Sequence, residues 1–223
     1  MSTDRADTRP EPRTSLTRAR VLAAAVDLAD RDGLDALSMR KLGQDLGIEA
    51  MSLYTHVRNK DDLLDGMLDA IVREITVART GPDWKAALRQ TVMAARTIVL
   101  RHPWAPPVIV TRTQPGPVML GYLDAVMGIL RDGGFSVAVT HHALHILGSR
   151  ILGFTQDLYD DSPDLDPAAA AILAEQVAGR FPHVAEMAMA VTHDGGLGGC
   201  DDDVEFAIGL DLILDGLERL RDA

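Results

Sequence analysis

A single cysteine, Cys200, is all the thiol chemistry in this chain of 223 residues. It excludes an intrachain disulfide and suits a reducing compartment. Aromatic residues make up only 4% of the chain. Alternating runs of valine, isoleucine and threonine are absent, which argues against a sheet-based fold. No apolar run approaches the roughly 20 residues that cross a bilayer. Residues 1–13 are polar and acid-containing, without the apolar centre of a secretory leader. A cytoplasmic placement with no membrane partner is expected. Also missing are a phosphate-binding glycine loop, a Gly-x-Ser-x-Gly elbow and a Cys-x-x-Cys pair. Cys200 stands in a glycine-rich loop with no histidine-rich base constellation nearby. Enzymatic chemistry is therefore not expected, and no cofactor is implied.

Positive charge is scarce overall, with a net charge of −11, but it is unevenly spread. Residues 1–60 hold ten Lys/Arg against nine Asp/Glu, whereas residues 61–223 hold twelve against twenty-four. Salt screens exposed charges beyond about 8–10 Å, so the local balance decides whether phosphate is attracted. The N-terminal quarter is compatible with an anionic partner. The rest is not.

What is present in quantity is helical periodicity: apolar residues recur every three or four positions. After an arm at 1–13 that composition marks as disordered, Thr17 is placed to cap a helix running to Arg31, which Gly33 stops. Asn59 caps a longer helix expected to reach about Arg79. Asp83 starts another, Trp84 to Arg101. Five prolines between Pro103 and Pro117 leave room for only a short helical turn near Val108–Val110. Pro117 opens a helix ending at Gly133-Gly134, and Ser136 caps the next, through Tyr159. An acidic loop, 160–166, an alanine-rich helix, 167–179, and a short helix after Pro182 follow. Val204 to Arg221 closes the chain. The expected fold is all-α, with a domain at 14–76 and a larger helical domain at 77–223.

The informative stretch is Ser38 to Lys60, SMRKLGQDLGIEAMSLYTHVRNK. Two short helices crossing at a sharp angle leave no space for a side chain at the crossing, and Gly43 falls there. The tight turn between them asks for positive φ, and Gly47 supplies it. Leu42, Leu46, Ile48, Leu53 and Val57 fall where the two helices share a core with the first. These requirements are met together at 38–57, as in a helix-turn-helix that reads DNA. Ala50 to His56 is then the recognition helix, its N-terminal end in the major groove. Ser52 and Thr55 can hydrogen-bond base edges or phosphates, and Ala50 and Met51 can pack on thymine methyl groups. His56 shares the outward side. Tyr54 suits a phosphate, and Arg40 can reach guanine or backbone. Lys41, Arg58 and Lys60 are candidate phosphate partners, Lys60 at a helix start whose free N–H groups also attract anions.

The run from Leu16 to about Glu74 resembles the DNA-binding domain of the TetR family. Its pattern is close to the tetracycline-repressor branch, LTxRKLxxxLGI…LYxHVxNK. The resemblance implies three helices for DNA, a connecting fourth, and a helical domain for dimerisation and a small-molecule effector. It assigns DNA contact to Arg40, Ser52, Tyr54, Thr55, His56 and Lys60. Ala50 and Met51 stand where that branch has glutamine and proline, which implies a different operator. It further implies that two helices, near 136–159 and 204–221, pair with their mates in a homodimer. Val137, Leu144, Leu147, Ile151 and Leu158 form one apolar face, and Phe206, Leu210, Ile213, Leu214 and Leu217 the other.

Candidate effector residues, by position, are His102, Trp104, Tyr122, His145 and Asp157. Val110 stands where the tetracycline repressor has a histidine that helps hold the drug's magnesium, so tetracycline–magnesium is not the expected ligand. His141 and His145 share a helix face, but no Glu or Cys completes a ligand set with His142, so no metal is expected. The function implied is a repressor released from double-stranded operator DNA by a small molecule. An activator or co-repressor-dependent regulator of the same fold is an alternative, and a helical protein-interaction module is one from another class.

Overall fold

Capping decides where the first helices begin. In the computed structural model, which describes residues 16–78, 83–153, 175–191 and 201–222, the Thr17 hydroxyl accepts from Arg20 N–H and opens α1, Arg18–Asp32. Ser38 does the same for α2, Met39–Leu46, through Lys41 N–H. After α3, Ala50–Leu53, the Asn59 side chain accepts from Asp62 N–H and opens α4, Lys60–Val72. Each oxygen satisfies one donor that the helix cannot satisfy itself. Asp83 caps α5, Trp84–Arg101, by accepting from Ala86 N–H. There follow α6, Ala105–Thr111, α7, Pro117–Asp132, and α8, Val137–Gly153, the last capped by Ser136. Two more helices are α9, Pro182–Val191, and α10, Asp202–Asp222. Helix is the only regular structure among the described residues, as expected.

Among the boundaries that differ from the sequence reading, two stand out. The fourth helix ends at Val72, short of Arg79. Its stripe runs into Ile75, Thr76 and Val77, whose branched β-carbons lose rotamer freedom in a helix. The proline-rich stretch forms seven helical residues, more than the short turn expected, because Pro106 and Pro107 fall in the first turn of α6. There their missing N–H groups cost nothing. The arm at 1–13, the acidic loop, most of the alanine-rich helix, Leu158, Tyr159, Asp157, Arg79 and Cys200 lie outside the described residues.

The chain divides into two compact units. One holds the described residues up to Val77 together with Ala94–Ala125. Its core joins Val21, Ala25 and Leu28 of α1, Leu42 of α2, Leu53 of α3, and Leu63, Met67 and Ile71 of α4. Ile98, Trp104, Ala105 and Val108 complete it, so α6 packs within the same core as the N-terminal helices. Removing a fully buried Leu or Met side chain from water contributes about 1.5–3 kcal/mol. At the far end of α6, Arg112 reaches Asp61 and Asp65 of α4, at 3.2 Å each.

The second unit holds the described residues of Ala78–Met93 and those from Val126 onward. Trp84 and Phe135 meet edge to face, centroids 4.6 Å apart. Lys85 of α5 bridges Asp215 and Glu218 of α10, at 2.5 and 2.9 Å, and Arg89 bridges Asp211 at 2.8 Å. Phe206, Leu210, Leu214 and Leu217 of α10 are buried, as is Leu147 of α8. For α10 this corrects the expected dimer face: Phe206, Leu210, Leu214 and Leu217 fill the chain's own core, because α10 is apolar on two opposite sides. Its other side presents Val204, Ile208 and Leu212, which are 50, 52 and 67% exposed. Of the face expected on α8, Leu147 is buried, Leu144 and Ile151 are partly exposed and Val137 is exposed. On α8 the large exposed apolar residues are Val137 and Ile146.

Candidate nucleic-acid interface

Everything at this site follows from how closely α2 and α3 approach. A β-carbon on Gly43 would lie 2.9 Å from the Ile48 carbonyl oxygen and 3.1 Å from the Ala50 nitrogen. Gly47 ends α2 in the left-handed region, φ 66° and ψ 32°, and its N–H donates to the Gln44 carbonyl. Ile48 N–H donates back to Gly43 O at 2.9 Å, closing the turn. Leu42, Leu53 and Val57 are fully buried beneath, with Leu46 and Ile48 packed against them. Both glycines occupy the roles that their spacing predicted.

The recognition segment is shorter as an α-helix than Ala50–His56. It is α-helical through Leu53, after which Tyr54, Thr55 and His56 N–H groups donate to Met51, Ser52 and Leu53 carbonyls in tighter three-residue steps. The Thr55 hydroxyl donates to Ser52 O at 2.7 Å, a local bond that competes with helix propagation. Val57 must also turn inward, where it is 1% exposed.

Arg18 and Asp62 hold this segment in place. The Arg18 guanidinium donates to the His56 carbonyl at 2.6 Å and to both Asp62 carboxylate oxygens, at 3.1 and 3.0 Å. Asp62 also accepts from Arg58 N–H at 2.8 Å. Three elements converge on one carboxylate. Sequence reasoning missed both as positioning residues, because pairs so distant in sequence leave no local mark.

Burial decides which side chains are available. Arg40, Met51, Ser52, Tyr54, Thr55, Arg58 and Lys60 are exposed, and Lys41, Ala50 and His56 are partly so. Lys41 pairs with Asp45 at 3.3 Å, and Arg58 lies 3.6 Å from Asp62 with its side chain 86% exposed. Arg40 and Lys60 have no ion-pair partner among the described residues. Lys60 is the first residue of α4. The surface therefore combines two uncommitted cations, two loosely held ones, three hydroxyls and an exposed methionine.

The Asp62 carboxyl is held down to about 2, first by hydrogen bonds from Arg18, then by the Arg58 N–H. A carboxyl depressed by folding stabilises only while ionised. Its contribution is therefore complete above the unfolded value near about 4 and fades as pH falls toward 2. Its side chain is 14% exposed, so little of the effect is screened. Asp62→Asn is expected to cost about 1–2 kcal/mol at about pH 7. The difference from wild type should narrow below about pH 4 and close near about pH 2, a trend that denaturant titrations across that range would check.

The effector candidates fall in different places. His102 and Trp104 come together on Asp30 of α1: Trp104 Nε1 donates to the carboxylate at 2.7 Å, and His102 Nδ1 lies 2.8 Å from the same oxygen. Tyr122 lies on α7 in the same unit, its phenol pushed up to about 12 by burial. His145 is exposed on α8 of the other unit, its ring 4.6 Å from that of His141. Among the described residues no group of three or more His, Cys, Asp or Glu is placed to hold a metal ion. No helix among them is long and apolar enough to cross a membrane.

A glycine-locked bihelical wedge with an exposed polar and cationic surface, joined to a larger helical unit, defines a helix-turn-helix regulator. Residues 21–67 match the profile of bacterial regulatory proteins of the tetR family, and residues 78–221 the tetracyclin repressor-like C-terminal domain. The chain belongs to the tetR family, and it is a DNA-binding transcriptional regulator. It is 34% identical over 224 residues to the HTH-type transcriptional repressor DrrR1 of Streptomyces coeruleorubidus, covering 94% of this chain and 80% of that one. It is 41% identical over 124 residues to an HTH-type transcriptional regulator of Saccharopolyspora erythraea, 55% of this chain and about half, 52%, of that relative. It is also similar to the crystal structure of ActR from Streptomyces coelicolor in complex with actinorhodin, with TM-score 0.72 and 28% identity, covering 94 and 100% of the two chains.

Proposed function

We propose that this chain is a homodimeric repressor that leaves its operator when a small molecule binds residues 77–223. The observation that carries the DNA half is the surface around Ala50–Lys60, where Arg40 and Lys60 stand exposed beside Tyr54, Ser52 and Thr55. In this reading Ser52, Thr55, His56, Ala50, Met51 and Arg40 face base edges. Tyr54, Lys41, Arg58 and Lys60 take phosphates, and the N-terminus of α4 adds its free N–H groups. Two copies pair through α8 and α10 and present two such surfaces to half-sites about 34–36 Å apart. A ligand weakens operator binding by its differential affinity for the two arrangements. The repressor sign is supported by DrrR1, which is named for repression, and the small-molecule switch by ActR, solved with actinorhodin.

Operator selection from random DNA tests the reading. Wild type is expected to enrich one palindromic site. Arg40→Ala and Tyr54→Ala should weaken binding to it, and Lys60→Ala should lower the slope of log affinity against log salt by about 1. If no sequence is enriched at low salt, the DNA reading fails. If a site is enriched but ligand tightens binding, the co-repressor alternative replaces release.

A further inference from the structure

His102 is held at one ring nitrogen and buried without a partner at the other. Its Nδ1 lies 2.8 and 3.0 Å from the two carboxylate oxygens of Asp30, which also accepts from Trp104 Nε1. A carboxylate can only accept, so Nδ1 carries the ring hydrogen. In the neutral ring, Nε2 is then a lone-pair acceptor. That nitrogen is sealed from solvent, in a side chain only 5% exposed, and it has no hydrogen-bond partner among the described residues. A buried polar atom without a partner is costly and uncommon, and it calls for an occupant that can satisfy it.

The opposite side of the ring leads directly to the DNA-binding helices. Asp30 stands in the last turn of α1, which packs on α2 and α4. Trp104 and Ala105 belong to the same core as Leu42 and Leu53 beneath the recognition segment. A displacement of the His102 ring is therefore a displacement at α1. Tyr122, in the same unit, carries a partly buried phenol whose pKa burial pushes up.

Resting on the ligand-release reading above, we propose that His102 Nε2 accepts a hydrogen bond from the effector and passes the event to α1 through Asp30. The effector is then a molecule with a hydroxyl donor, phenolic or alcoholic, on an otherwise apolar body. A ligand offering only ether or carbonyl oxygens at that point would leave two acceptors facing one another, which is how the site rejects it.

Nitrogen NMR of the full-length protein, with histidine rings labelled, reads the two ring nitrogens of His102 directly. The expected result is a protonated Nδ1 and a bare Nε2. Phenol, used as the probe, should shift the Nε2 resonance and bind about tenfold more tightly than anisole, which has the same shape but no donor. In Asp30→Asn the carboxamide can donate to Nδ1. The hydrogen should then move to Nε2, and the preference for phenol over anisole should vanish. His102→Phe should lose the preference as well. A protonated Nε2 in the wild type, or equal or absent responses to phenol and anisole, overturns the proposal. Operator binding measured in parallel separates the two ideas. Intact binding with no phenol preference rejects the acceptor role alone, whereas absent binding rejects the regulator reading on which it rests.

Discussion

Gly43→Val is expected to abolish operator binding and to destabilise the fold by about 1–3 kcal/mol. The added β-carbon would meet Ile48 O, Ala50 N and Ala50 Cα at 2.9, 3.1 and 3.2 Å. All three are backbone atoms, so no rotamer change can relieve the contact. Relief requires α3 to move away from α2, and α3 carries Met51 and Ser52 while fixing where Tyr54 and Thr55 point. The hydrogen bond from Ile48 N–H to Gly43 O, 2.9 Å long, would be strained by the same motion. Gly47→Ala is the matched control. It has nothing within 4 Å of an added β-carbon but sits at φ +66°. It should cost about 1–2 kcal/mol from backbone strain alone, with operator affinity largely kept. Urea titrations and fluorescence anisotropy with operator DNA separate the two. A G43V protein that holds operator as tightly as wild type would refute the wedge geometry.

The contrast between these glycines explains why the helix-turn-helix was legible in the sequence. Its constraints are local: a cap at Ser38, a small residue at the crossing, a positive φ four residues later, and apolar positions between. The caps at Thr17, Asn59, Asp83 and Ser136 and the start at Pro117 are equally local, and each helix begins where they put it. Helix ends were less legible where no strong signal stands. Val72 ends α4 only because branched residues follow and the chain turns away, and no glycine or proline marks the place.

Long-range pairing was not legible at all. Nothing near Asp30 indicates that His102 and Trp104, more than seventy residues later, converge on it. Arg18 and Asp62 are likewise ordinary surface residues until the fold brings them together with the His56 carbonyl. The α10 stripe failed for another reason. With leucine, isoleucine and valine around most of its circumference, periodicity allows two inward faces, and only packing against α8 and α5 selects Phe206, Leu210, Leu214 and Leu217.

That leftover face supplies the second large effect. Ile208→Asp combined with Leu212→Asp is expected to convert a dimer into monomers and to weaken operator binding about 10²–10⁴-fold. Both residues are more than half exposed, at 52 and 67%, and they lie opposite the buried stripe, so the substitutions leave the chain's own core intact. On a dimer surface each substitution would bury a carboxylate where an apolar group had lain, and twofold symmetry doubles the insult. Like charges would also face one another across the axis. The loss of affinity follows from geometry. A monomer engages one half-site, whereas a dimer holds the second half-site at high effective concentration once the first is bound. Sedimentation velocity measures the association state, and circular dichroism checks that helix content is unchanged. A double variant that stays dimeric would place the interface elsewhere. One that becomes monomeric yet binds operator normally would detach DNA recognition from pairing altogether.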